Sequence, residues 1–271
     1  MNDEKLVLRQ MKDDGRIAWL TLNRPGKKNA LSTALMTELI ALLREIQEDN
    51  SVRVVVLSGS GDSFCSGLDL HDLKRSHQEG RRWGSQGPTT FEIVRILRMM
   101  PQIVIASVHG WCLGGGLALV SGSDLAIASE TAQLGMPEII RGSYGAVATP
   151  TLFHSAVPSK IAFDIQLTGQ NLSGVEAQRV GLVSRVAPPE KLNEQTFELA
   201  AGIAQRHPAA LSHAKIAAYM QKDLPFIQAL QVDELVRDRM RRFMDPLDDV
   251  DGYLRSQKSG TNSQYRKPDA L

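Results

Sequence analysis

Three short stretches hold residues whose types and spacing could do chemistry. The first is Val108-His-Gly-Trp-Cys-Leu-Gly-Gly-Gly116, where a glycine triplet lies between an apolar run and a helical pattern. Glycines at a helix start leave backbone N–H groups bare and approachable, and the positive end of the helix dipole favours negative charge there. No Gly-Lys-Ser/Thr follows, and the glycine spacing differs from the dinucleotide fingerprint. The stretch is therefore either an anion or oxyanion cradle or a tight strand-to-helix crossover. The second is Ser63-Phe-Cys-Ser-Gly-Leu-Asp-Leu70, in which Gly67 lets the backbone bend so that the Leu68 N–H points outward. On its own it is a common loop-to-helix entry with Asp69 as the N-cap. The third is Gly135-Met-Pro-Glu-Ile-Ile140, with one carboxylate among apolar residues. An acid at a helix start suits the dipole, whereas an acid facing a dry pocket has its pKa raised by desolvation and becomes a proton-transfer base.

Other reactive residue types offer less. Cys65 and Cys112 lie in segments of small and apolar residues with no activating histidine or basic run, so they read as packing. His71, His77, His109, His154, His207 and His213 show no paired ligand spacing, and no metal is expected.

The elements that must position these stretches follow from the pattern of apolar residues. Ile17–Leu22 reads as a strand ended by Asn23-Arg-Pro-Gly26, Ser32 as the cap of a helix through Glu48, and 52–57 as a buried strand. The stretch from Lys74 to Pro88 lacks periodicity and reads as a loop. A helix over Phe91–Met100, a strand over Ile103–Val108, a helix from Gly114 to near Gly122 and strands over 124–128 and 132–135 come next. Helices are then expected over 146–156, 159–167 and 174–180, with a strand over 182–186. Beyond Pro188-Pro189 the chain reads as helical, over 191–205, 209–220 and 226–243. In the last, Phe226, Leu230, Val236, Met240 and Phe243 form an apolar stripe that needs a surface to dock on. The tail from Lys258 is polar and expected to be loose.

Composition sets the outer bounds. The chain has 271 residues, 42% hydrophobic and 23% charged, with a formal net charge of +1, so fibrous and disordered classes are excluded and nucleic acid is not an expected partner. Two cysteines in such a length suggest a reducing compartment, and the polar start shows no targeting signal. The uncharged stretch Ile103–Gly122 has the length of a membrane span. Its many glycines and the lack of flanking aromatic and basic anchors argue for a buried strand, turn and helix instead.

Taken together, Leu22-Asn-Arg-Pro25, Asn29-Ala-Leu31, Phe64–Leu70, His109–Gly116, Pro137-Glu138, Leu167-Thr-Gly169 and Ala177–Val183 resemble, in order and spacing, the crotonase (enoyl-CoA hydratase/isomerase) superfamily. The resemblance runs from about residue 5 to 257. It implies an α/β fold, with a crotonase-like ββα spiral core over 1–190 and a C-terminal helical trimerisation region over 191–271, assembled as a homotrimer or a hexamer (dimer of trimers). It also implies an acyl-CoA or acyl-carrier thioester substrate, with coenzyme A arriving as part of the substrate and no separate cofactor. A cytoplasmic enzyme without membrane or nucleic-acid partners is expected.

By position, the resemblance puts the oxyanion hole on the N–H groups of Leu68 and Gly115 and the acid/base on Glu138. Ser66, Gly67, Leu68, Asp69 and Leu70 would run along the pantetheine and adenine, Gly114 and Gly115 would lie at the thioester, and Arg24, Lys27 or Lys28 would meet the phosphates, with Lys28 the preferred of the three. Hydratases of the superfamily carry two glutamates, and here the first position is Ala118. The aspartate of the dehalogenase branch is replaced by Ala146, and His109 stands where many relatives have asparagine. One remaining carboxylate suits double-bond isomerisation, because shuttling a proton between two carbons needs one base. Two other readings stand beside it: a hydratase or dehydratase on an unusual acyl group, and an acyl-CoA-binding oligomer with reduced catalysis. Ser143, Tyr144 and His154 are auxiliaries without a direct signal. Acyl specificity is expected from Lys74–Trp83, the loop after it and the residues after Glu138.

Overall fold

Short apolar strands alternate with amphipathic helices, and a computed structural model, which describes residues 5–79 and 88–243 with Val250 and Leu254, shows how they stack. Strands β1 (Val7–Lys12) and β2 (Ile17–Leu22) form a hairpin that leads through a 3-10 turn at Pro25–Lys27 into α1 (Thr33–Glu48). Next come β3 (Val54–Gly59), β4 (Ser63–Cys65), α2 (Leu70–Gln78) and α3 (Thr90–Met99), then β5 (Ile103–Val108), β6 (Trp111–Leu113) and α4 (Gly115–Gly122). The third turn is β7 (Leu125–Ser129), β8 (Gln133–Gly135), a 3-10 turn at Pro137–Arg141, α5 (Ala148–Phe153) and α6 (Ser159–Thr168). After β9 (Leu172–Ser173), α7 (Gly174–Arg179) and β10 (Arg185–Ala187), the chain continues as α8 (Leu192–Ala204), α9 (Pro208–Gln221) and α10 (Phe226–Met240).

After the β1–β2 hairpin, whose strands share one sheet, the pairs β3/β4, β5/β6 and β7/β8 each send their first strand to that sheet and their second to another. The six-stranded sheet runs β1-β2-β3-β5-β7-β10 and the four-stranded sheet β4-β6-β8-β9. Apart from the β1–β2 and β8–β9 pairs, the ladders are parallel. This is the α/β spiral that the sequence resemblance implies. Parallel strands need both faces covered, which explains their continuous apolar runs. On one face Leu20, Leu22, Val55, Leu57, Val104 and Ala106 pack with Leu35, Leu39 and Leu43 of α1 and Ile93 and Leu97 of α3. On the other, Ile17, Trp19, Val54, Val56 and Ile105 lie under Leu192, Ala200 and Ala204 of α8. The buried Ser107 and Thr196 hydroxyls bond across that second layer at 3.0 Å.

The compact units are Met1–Leu211 and Ser212–Leu271, so α8 falls in the first unit, past the boundary expected at residue 190. In the second unit α10 buries no residue, and its Phe226, Ile227, Leu230 and Leu235 are exposed. His213 and Phe243 rings lie 5.7 Å apart there.

The stretch read as a loop from Lys74 is helical as far as Gln78, because Asp69 caps α2 by accepting from the His71 and Asp72 amides. Its remainder, 80–87, lies outside the described residues, as does the polar tail from Lys258. No described helix is long and apolar enough to cross a membrane.

Candidate active site

The turn after β2 sets the first arm of the site. Asn29, fully buried at φ +53, accepts from the Arg24 amide at 2.8 Å and donates through Nδ2 to the carbonyls of Ser60 and Ser63 at 2.9 and 2.7 Å. It ties this turn to the β3–β4 connection. Two residues on, the Leu31 N–H donates to Gly67 C=O at 2.8 Å and Leu31 C=O accepts from the Asp69 N–H at 3.1 Å. The amide between them, Leu68 N–H, donates to no described residue. Gly67 makes this bend with φ +93, and a Cβ there would sit 2.8 Å from the Leu113 carbonyl oxygen.

The glycine triplet makes the second arm. Gly114 has φ +51 and ψ −109, open in practice only to glycine, and its N–H closes the β6–β8 ladder on Gly135 C=O at 2.9 Å. A Cβ on Gly114 would overlap the Glu138 Oε1. Gly115 then begins α4, and its N–H also donates to no described residue. The two free amides are close: a Cβ on Gly115 would lie 3.5 Å from Leu68 N, and one on Gly67 3.3 Å from Gly115 N. Two converging donors, one at a helix N-terminus, can hold an oxyanion.

Glu138 completes the constellation from the 3-10 turn at Pro137–Arg141. Its Oε2 is buried without a hydrogen-bond partner among the described residues. Burial pushes this carboxyl above the ordinary glutamate range, against the opposing pull of its own amide and of Arg141. Gly145 backs it closely, since a Cβ there would lie 3.3 Å from Glu138 Cδ. The intervening loop is clamped: Ser143 N–H donates to Glu138 C=O at 3.0 Å, Thr149 Oγ1 donates to Tyr144 C=O at 2.8 Å, and Gln166 Nε2 donates to Thr149 Oγ1 at 2.9 Å. The Tyr144 side chain is exposed. Ala118, in the first turn of α4, is fully buried and offers a methyl at the position where, by the sequence resemblance, hydratases carry their first glutamate.

Other residues singled out from the sequence take different places. Arg24 is turned inward, with Nη1 on Asp69 Oδ2 at 3.0 Å and on Ala30 C=O at 2.6 Å, so this nitrogen is engaged inside the fold. The Asp69 carboxylate is likewise used inside the fold by Arg24 and the two α2 amides, which leaves only its backbone for a ligand. Burial pushes this carboxyl up, but Arg24 and those amides outweigh it and hold it below its ordinary value. Lys28 Nζ lies over the half-exposed Trp111 ring, 5.3 Å from its centroid, beside Ser66, whose N–H donates to Lys28 C=O. Leu70 is exposed.

His109 Nε2 lies 3.0 Å from Gly61 C=O, a structural bond, and the His154 amide closes the end of α5. Cys65 and Cys112 are opposite each other across β4–β6 and fully buried; burial pushes the Cys65 thiol up to about 12, and burial with the neighbouring Cys65 raises Cys112. Among the described residues no group of three or more His, Cys, Asp or Glu could hold a metal. Asn29 and Gly145 are the positions that residue-type reasoning passed over. Asn29 sits inside the Asn-Ala-Leu motif but carries no reactive signature, and Gly145 depends on a long-range approach.

The profile of the family described as Enoyl-CoA hydratase/isomerase matches residues 12–243. The chain is 34% identical over 209 residues to a short-chain-enoyl-CoA hydratase of Clostridium acetobutylicum, covering 76% of this chain and 79% of that one. Its fold superposes on the crystal structure of an enoyl-CoA hydratase from Mycobacterium smegmatis with a TM-score of 0.83 at 29% identity, over 93% of this chain and 97% of that one. A monofunctional enoyl-CoA isomerase from M. smegmatis gives 0.69 at 30% identity, over 83% and 98%.

Proposed function

The chain belongs to the enoyl-CoA hydratase/isomerase family, and from that membership we propose that it works through a thioester enolate and moves a C=C bond with a single carboxylate. In this reading the thioester oxygen accepts from the Leu68 and Gly115 amides. Glu138 Oε2 removes a proton from the carbon next to, or vinylogous with, the thioester carbonyl, and the electron pair moves onto the oxygen. The same carboxylic acid returns the proton at the other end of the dienolate, so one residue closes the cycle and no water is consumed. Two preorganised donors stabilise the developing oxyanion by roughly several kcal/mol, and raised basicity at Glu138 matches it better to a weak carbon acid.

The observation that carries the reading is the pairing of Glu138, half-buried with its Oε2 enclosed and without a partner among the described residues, with the fully buried methyl of Ala118. Hydration divides the holding, deprotonation and return of a water between two carboxylates, and this site supplies one. Favouring the second reading, a hydratase or dehydratase on an unusual acyl group, is the similarity to a protein named as a hydratase. Coenzyme A enters as part of the substrate, along Ser66–Leu70 with Lys28 beside it, and an acyl-carrier arm offers the same pantetheine. The reading includes a cytoplasmic homotrimer or hexamer, supported by the exposed apolar residues of α10. The test is incubation with 3-enoyl-CoA and, separately, crotonyl-CoA. Conversion of the first to the 2-enoyl isomer with negligible hydration of the second is expected. Efficient hydration of crotonyl-CoA overturns the isomerase assignment in favour of the hydratase. Saturable binding with no α-proton exchange in D₂O overturns both in favour of a binding oligomer.

A further inference from the structure

We propose that Arg24 is a positioning residue that polarises the oxyanion hole from outside it, through a chain of two peptide groups ending on the Leu68 N–H. The proposal rests on the reading of Leu68 and Gly115 as the thioester cradle.

The connectivity is continuous. Arg24 Nη1 donates to the carbonyl of Ala30 at 2.6 Å. That carbonyl shares a peptide group with the Leu31 N–H, which donates to the carbonyl of Gly67 at 2.8 Å. The Gly67 carbonyl in turn shares a peptide group with the Leu68 N–H, which has no acceptor among the described residues. In a trans peptide the C=O and N–H point in opposite directions, so the bond that fixes the Gly67 carbonyl on Leu31 also aims the Leu68 N–H away from it. A cation at the head of such a chain draws electron density along it, because hydrogen bonds in series polarise one another. The terminal N–H becomes a stronger donor without itself bearing a charge.

Two further features fit a relay better than a brace. The same Nη1 is 3.0 Å from Asp69 Oδ2, and the Asp69 N–H bonds the Leu31 carbonyl, so the ion pair fixes both sides of the Leu31 crossing. The opposite donor, Gly115 N–H, is already backed by the α4 dipole. Leu68 belongs to no regular element, and Arg24 supplies the field that a helix supplies to its partner.

The test uses the full-length protein and a bound, non-reacting butyryl-CoA labelled with ¹³C at the thioester carbonyl, whose stretching frequency in difference infrared spectra reports the strength of the hydrogen bonds to it. In the unsubstituted protein the bound carbonyl is expected well to the red of its position in water. Arg24→Met is expected to lose roughly a fifth of that shift. Its kcat for double-bond movement is expected to fall about tenfold with KM changed far less, because the interaction strengthens as charge develops on the oxygen. The acid limb of its pH profile, set by Glu138, stays in place.

Asp69→Asn keeps an N-cap acceptor for α2 but removes the counter-charge, so under a relay it moves the carbonyl further to the red, opposite to Arg24→Met. Shifts of the same sign in both variants, or an unmoved carbonyl in folded Arg24→Met, overturn the proposal. Should Arg24→Met not fold, the sign in Asp69→Asn decides alone. Absence of any red shift in the unsubstituted protein fails the cradle reading itself, a distinct result.

Discussion

At the scale of single residues, Glu138 is held between two demands. Enclosing its Oε2 without a partner among the described residues costs the folded protein stability whenever the group is ionised, and the same desolvation makes it a better base. Its folded pKa is raised, so the folded state binds the proton more tightly than the unfolded chain does. The resulting stabilisation is complete below the unfolded glutamate pKa and is lost as pH rises through the folded value. Glu138→Gln is therefore expected to raise Tm at neutral pH and to leave it nearly unchanged in acid below about pH 4. The same substitution removes the only proposed proton carrier, and turnover and α-proton exchange are expected to fall by about 10³ or more. In the unsubstituted enzyme the acid limb of kcat/KM is expected above the ordinary carboxylate range, as read from a pH–rate profile. Full turnover in Glu138→Gln, measured by exchange in D₂O, would sink the mechanism. Ala118 was legible through the family resemblance, which marks its position as that of the hydratases' first glutamate, whereas the state of Glu138 was not. A lone acid at a helix start looks the same in sequence whether it faces solvent or a dry wall made by Gly114 and Gly145.

Secondary-structure elements carry the geometry that single residues exploit. The two arms of the cradle are the entry to α2 and the start of α4, and each turns on a glycine with positive φ, Gly67 and Gly114. Gly114→Ala is expected to abolish turnover while the sheets persist, because the new methyl is strained at φ +51 and overlaps the Glu138 carboxylate. A loss of at least about 10²-fold in kcat, with the far-ultraviolet circular dichroism retained, is the outcome to look for; unchanged kcat would mean that Glu138 does not approach this arm.

The long apolar strands and helices were readable because two-sided burial writes continuous apolar runs: β2, β3, β5 and β7 and the helices α1 and α3 all lie within a few residues of their expected places. Of the short strands, β8 and β10 also lie near their expected places, over 132–135 and 182–186, but three others were not readable. β4, β6 and β9 have only two or three residues each, too few for any periodicity to register, and they are held by pairing with segments distant in sequence. β1 escaped because its exposed, mostly polar edge pairs only with β2. The polar α2 buries no residue and depends on its Asp69 cap, so it leaves no hydrophobic signature.

At the scale of the whole molecule, the second sheet is what makes the site. The β4–β6 ladder brings the Leu68 loop and the glycine triplet side by side, although about 45 residues separate them in sequence. At the centre of that ladder Cys65 and Cys112 face each other with no exposed surface, and their thiols are held protonated far above neutral pH. A thiol so placed does not react with iodoacetamide until the ladder opens. Alkylation of the native protein is expected to be slow and to track the opening of these strands, accelerating in denaturant and slowing when a saturating acyl-CoA bridges the two arms. Rapid labelling of both residues at neutral pH without denaturant would contradict the buried pairing. The two cysteines thus form a built-in gauge, a chemical clock for the integrity of the cradle that runs without turnover, substrate chromophore or engineered label.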